Sequence, residues 1–222
     1  MKVCDVARII EEFAPLESAA GWDNTGLCIG RPDAEVTRVL VGFDCTPQLI
    51  AEAVERGANM VVTHHPLIFH GLKRISPDTF LGEAVTMAIK NDIAVYSAHT
   101  NADKAGEGVN YLMAERLGLT RRELLSEDGF GLTGFLERPM ECGEFISFVK
   151  ERFSLKALRT SRPIEGPIEK VALCSGSGGS LVETALASGA QAYICGDLSY
   201  HQFLQKKGSF CSISVILRAK LI

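Results

Sequence analysis

What most limits the fold of this chain is the way its apolar runs change period. Short β-rich runs alternate with stretches of helical spacing, in series. Residues 36–45 are rich in β-branched and apolar side chains and end before Thr46-Pro47, a pair that opens a helix because proline suits the first turn. The helix predicted over 47–56 stops at Gly57, a residue that tolerates the left-handed backbone of a helix C-terminus. Met60-Val61-Val62-Thr63 is too short for a helix and reads as a strand running into His64-His65-Pro66. Helical spacing returns over 77–91, a third strand follows at 93–98, and a helix over 108–117 closes at Gly118. Ahead of them, residues 4–14 carry Val6, Ile9, Ile10 and Phe13 at helical spacing. Three β–α steps in succession predict a mainly parallel sheet with helices on its faces.

Residues 119–130 are polar and mark a boundary, after which the rhythm resumes. Strand 131–137, helix 142–153, a Pro/Gly-interrupted 161–167, strand 171–174, helix 180–188 and strand 192–195 make a second set. The expectation is α/β: two linked lobes, 1–125 and 126–222. The 222 residues suffice for two such lobes without disulfide staples.

Charge and cysteine usage then exclude some functions. Lys plus Arg is 23 against Asp plus Glu 27, a net −4 that disfavours a nucleic-acid partner gripped through phosphates. No apolar run reaches the roughly 18 residues of a membrane span, and the first residues lack the apolar core of a signal peptide. Seven cysteines, with no Cys-x-x-Cys pair, suggest neither a disulfide framework nor a cysteine zinc site. Cys28, Cys45, Cys174 and Cys195 read as buried thiols, and the chain reads as cytoplasmic.

In open parallel sheets the reactive groups gather after the carboxyl ends of strands. His64 and His65 stand at one such end, and Pro66 is a reason for the strand to stop there. Neutral imidazole is a common metal ligand, so the pair is either a cation site or a polar turn. His99-Thr100-Asn101-Ala102-Asp103 follows the next strand and should open on the same edge. Asp103 there either joins His64 and His65 on a divalent ion, or is solvated in a loop or caps the helix beginning near Gly108. Ser175-Gly176-Ser177-Gly178-Gly179-Ser180 is a tight βα turn or an anion cradle; it fails both the dinucleotide and the Walker patterns. Asp197 and His201 follow a further strand, with helix capping as the plainer role for Asp197. The turn Trp22-Asp23-Asn24-Thr25-Gly26 holds the only tryptophan and reads as an anchor for the first helix, with a site rim as the alternative. His70 reads as a surface residue.

Taken in order, these segments resemble the Nif-three-like family of dinuclear-metal proteins, many of them labelled GTP cyclohydrolase 1 type 2 homologues. The resemblance is carried by Trp22 to Leu27, Val62 to Leu67 with Gly71-Leu72-Lys73, Ala98 to Asp103, Cys174 to Gly179, and Gly196 to His201. It implies two α/β lobes, a homohexameric ring, and two divalent ions per subunit in a cleft between lobes. It places ligands on His64, His65 and Asp103, and further ones on a C-terminal Gly-His-x-x-x-Glu segment. This chain departs there. After His201 it has no His and no Glu, and Lys206, Lys207, Arg218 and Lys220 meet no acidic residue. That departure reads as a shifted frame or rearranged terminus, or as a diverged final strand around Ile213–Leu217. With two ligands fewer, one divalent ion or none is expected; zinc, iron, manganese and nickel all suit the set.

The function implied is a metal-dependent hydrolase acting on a nucleotide or related small molecule, with GTP ring opening as the specific guess. His99 or His201 would move protons, and the 175–180 loop would receive a triphosphate. The rival is a non-catalytic ring that binds metal or nucleotide without turnover.

Overall fold

The structure, a computed structural model, describes residues 1–161, 164–203 and 210–214. The chain divides into two compact units, Met1–Ala105 and Gly106–Ile222.

The first unit begins with α1 (Val3–Phe13) and an edge strand β1 (Gly26–Ile29). It continues through β2 (Val39–Asp44), α2 (Pro47–Glu55), β3 (Met60–His65), α3 (Phe80–Lys90), β4 (Ala94–Ser97) and a short α4 (Thr100–Lys104). The sheet order is β1-β4-β3-β2, with β2, β3 and β4 parallel and β1 antiparallel to β4. Side chains alternate across the strands and so feed two cores. Val61 and Val95 face Ile50 and Ala53 of α2 and Ala84, Val85 and Ala88 of α3. Met60, Ala94 and Tyr96 face Val3 and Ala7 of α1. Each crossover helix starts on a threonine cap. The Thr46 hydroxyl accepts from the Leu49 N–H at 3.1 Å, and that of Thr79 from the Gly82 N–H at 3.1 Å.

The second unit contains α5 (Val109–Arg116), β5 (Thr120–Leu124), β6 (Leu132–Glu141), α6 (Cys142–Arg152), β7 (Arg159–Thr160) and β8 (Pro167–Cys174). It ends with α7 (Val182–Ala187), β9 (Ala192–Cys195), α8 (Tyr200–Phe203) and β10 (Cys211–Ser214). Its sheet runs β5-β6-β8-β9-β10-β7; β8, β9 and β10 are parallel, and the flanking pairs are antiparallel. Met113, Phe145 and Val149 pack on one face with Val171, Leu173 and Ile194. Val182 and Ala185 pack on the other with Ala172, Cys174, Tyr193 and Cys195.

The division at Ala105/Gly106 lies ahead of the expected 125/126 boundary. The polar 119–130 stretch is no linker: β5 pairs with β6, and all five of its residues are exposed, as on an outer strand. The helix before it puts Met113 and Ala114 into the second core, and its C-terminal cap Leu117 joins them. β10 covers Cys211–Ser214 and joins β9 and β7, meeting the final strand expected around Ile213–Leu217 at Ile213 and Ser214; residues 215–217 lie outside the described residues. Lys206, Lys207, Arg218 and Lys220 lie outside the described residues. None of the seven cysteines is in a disulfide; Cys28 is half-buried and Cys45, Cys174 and Cys195 are buried. Burial pushes the Cys45 and Cys195 thiols up to about 12.

Candidate metal centre

Parallel register brings the carboxyl ends of β2, β3 and β4 to one edge of the first sheet. Asp44 pairs with His65, and Thr63 with Ser97, so residues just beyond Ser97 emerge beside the two histidines. The Thr63 hydroxyl donates to the His65 carbonyl at 2.8 Å, bracing the strand end where the imidazoles must converge. His64, His65 and His99 each offer a ring nitrogen, all within 4.8 Å of one another. Asp103, a nearly enclosed side chain on α4, places Oδ1 3.8 Å from His64 Nε2.

Each imidazole is held at Nδ1 by an acceptor. His64 Nδ1 meets the Ala98 carbonyl at 3.0 Å, His65 Nδ1 the Asp44 carboxylate at 2.6 Å, and His99 Nδ1 that of Asp23 at 2.9 Å. A proton on Nδ1 satisfies each acceptor and leaves the Nε2 lone pair free, the arrangement seen around metal-ligating histidines. Burial, more than any charge, pushes the His64 pKa below its ordinary value; Asp103 opposes the shift, and His65 and His99 add to it. His64 is therefore a neutral donor near pH 7. Three imidazoles and a carboxylate fit zinc, iron, manganese or nickel.

Asp23 has no exposed side-chain surface. Burial alone would raise its pKa, but bonds from the Thr100 hydroxyl (2.6 Å), His99 and the Thr100 N–H (3.1 Å) outweigh it and hold the carboxyl below its usual value. The 22–26 turn is thus clamped to the His99 segment. Thr25 donates to the Ser97 carbonyl at 2.8 Å, and Asn24 Nδ2 donates to the Ile68 carbonyl at 2.6 Å.

Of the residues singled out from sequence, His64, His65, His99 and Asp103 come together. His99, expected as a proton carrier, stands among the imidazoles. Asp103 sits in the first turn of α4, in a segment expected to be a loop. His201 lies exposed on α8 of the second unit, its ring beside Tyr200. The Asp197 side chain, expected as a helix cap, reaches toward Arg159 at 4.0 Å. The 175–180 segment is a βα turn in which the Gly176 carbonyl accepts from the N–H groups of Gly178, Gly196 and Asp197, and the Ser175 N–H donates to the Asn110 side-chain oxygen. The Trp22 ring is 61% exposed against Phe69, while its turn reaches the end of α1 through Thr25, which donates to Asn101, whose Nδ2 donates to the Ala14 carbonyl. Sequence reasoning passed over Asp44 and Asp23 as histidine partners. The available signal was an acidic residue ending the strand beside the one that ends in His64-His65.

Two helix-flanked α/β units, one carrying at the carboxyl ends of its parallel strands a histidine cluster that could hold a metal ion, define the class of protein. The chain matches the Duf34/NIF3 (NGG1p interacting factor 3) family profile over residues 1–216 and belongs to that family. It is 38% identical over 207 residues to a Clostridium perfringens protein named GTP cyclohydrolase 1 type 2 homolog, spanning 90% of this chain and 79% of that one. A Clostridium acetobutylicum protein of the same name is 38% identical over 208 residues, with 90% and 78% covered. Among solved structures, a Bacillus cereus protein related to NIF3 superposes with TM-score 0.89 at 24% identity, covering 96% of this chain and 87% of the other. Reduced HcgD from Methanocaldococcus jannaschii gives TM-score 0.84 at 28% identity, covering 96% and 86%.

Proposed function

We propose that this chain is a divalent-metal-dependent hydrolase acting on a nucleotide or related small molecule. The observation that carries the reading is the convergence of His64, His65 and His99 with every Nδ1 held by an acceptor. A bound divalent ion supplies Lewis acidity and lowers the pKa of its coordinated water toward neutrality. His64, His65 and Asp103 hold the ion, and His99 either completes the set or takes up a proton. Asp23 and Asp44 keep the His99 and His65 rings in the tautomer that presents Nε2. Four donors suit one ion with solvent in the remaining positions, so one ion per chain is proposed. His201 is kept as a second proton-carrying candidate, on the strength of the family resemblance alone.

The names of the Clostridium relatives support GTP as the first substrate to try. Resemblance likewise supports a homo-oligomer, a ring of six copies, to be tested by sedimentation. Incubating metal-loaded protein with GTP should release formate and a ring-opened product. Metal and GTP binding without product would favour a non-catalytic binding ring instead. Failure to bind a divalent ion would end the hydrolase reading.

A further inference from the structure

Among the described residues, three of the exposed aromatic side chains lie around the histidine cluster: Trp22 at 61%, Phe43 at 39% and Phe69 at 38% exposed. Phe43 already stacks on His64 at 5.2 Å between centroids and meets His65 edge-on at 4.6 Å, so it is partly used. Trp22 and Phe69 are different. Their rings meet at 5.9 Å with an interplanar angle of 58°, forming an open corner rather than a closed stack. Phe69 also stands edge-on to His99 at 6.2 Å and to His70 at 4.7 Å.

The corner is held in place by polar bonds. Asp23, next to Trp22, grips His99 and Thr100. Asn24 Nδ2 donates to the Ile68 carbonyl at 2.6 Å, tying the turn that carries Trp22 to the residue just before Phe69. Exposed aromatic area gains nothing from burial in the fold. Here the hydrogen bonds that fix the tautomer of His99 also fix the two rings beside it. Flat, rigid π-faces held at a reactive centre suit a flat ligand, since aromatic faces attract rings with little regard to their substituents.

We infer that Trp22 and Phe69 form a stacking subsite for a heteroaromatic ring of nucleobase size, placing that ring's substituents beside His99. The inference deepens the hydrolase reading and rests on it for the chemistry, but ring binding itself does not require the metal. The test exploits Trp22 as the only tryptophan in the chain. Guanosine is titrated into chelator-stripped protein while indole fluorescence is excited at the red edge of its absorption, with ribose 5-phosphate as the ringless control. Saturable quenching by guanosine and none by ribose 5-phosphate is expected. In Phe69→Leu the apparent Kd should rise by about tenfold. Trp22→Leu, followed by calorimetry, should rise similarly while zinc affinity stays unchanged. No saturable response, or equal guanosine affinity in wild type and both variants, would overturn the subsite. So would a change of oligomeric state in the variants without loss of guanosine binding, which would make the corner a contact between copies. Loss of metal binding with guanosine binding intact would sink the hydrolase reading alone.

Discussion

Asp44 is exposed, yet its carboxylate sits 2.6 Å from His65 Nδ1 and determines which nitrogen of that ring carries the proton. Partners of metal-ligating histidines commonly change metal affinity by about 10- to 100-fold when removed. Asp44→Ala should therefore weaken divalent-ion binding by about tenfold in a chelator competition assay, with the thermal midpoint of the metal-free protein unchanged. An unchanged metal affinity would show that His65 needs no such partner. Asp23→Ala should be harsher, because Asp23 also anchors the Thr100 hydroxyl and N–H. Loss of a buried charge-assisted network costs a few kcal/mol, about 2–4, so the denaturation midpoint of the metal-free protein should fall along with metal affinity. At this scale His64, His65, His99 and Asp103 were legible because they crowd the ends of apolar runs. Asp23 and Asp44 were not, because their importance comes from strand register and from a turn folding back across the sheet, neither of which is periodic in sequence.

The helices and parallel strands of the first unit follow the alternation of period closely, since each has caps and a one-sided apolar pattern. Thr46 and Thr79 are the caps of α2 and α3, and losing either hydroxyl should cost about 1 kcal/mol, measured as a shift in urea midpoint for Thr46→Ala and Thr79→Ala. Gly82 is stricter still. A Cβ there would collide with the Ser76 carbonyl oxygen, so Gly82→Ala must displace backbone. The expected loss is about 1–3 kcal/mol, and an unshifted midpoint would show that the 76–82 turn yields freely. Elements with weak patterning stayed hidden. β1 is four residues joined to the sheet by antiparallel pairing to β4. β5 is wholly exposed and polar but for Leu124, and its existence depends on β6 beside it. α4 is one short turn, and its sequence Thr100–Lys104 resembles a loop because its residues serve the site rather than a core.

For the whole molecule, two helix-flanked α/β lobes were legible because each sheet needs helices over its apolar faces, and the number of β–α steps exceeds what one small sheet accommodates. The boundary was not, since β5 looks like a linker until its partner strand is known. No helix among the described residues is long and apolar enough to cross a membrane. A ligand that binds only the folded chain stabilises it by mass action, about 2.7 kcal/mol when present at about one hundred times its Kd. Zinc at saturation should therefore raise the thermal midpoint of stripped protein. The most direct test of the metal centre is stoichiometry. Chelator-stripped protein, titrated with zinc by calorimetry and then analysed for bound metal after desalting, should retain one ion per chain, and His64→Ala/His65→Ala should retain none. A wild-type protein that retains no ion, or a double variant that retains it undiminished, would contradict a cation site at these histidines.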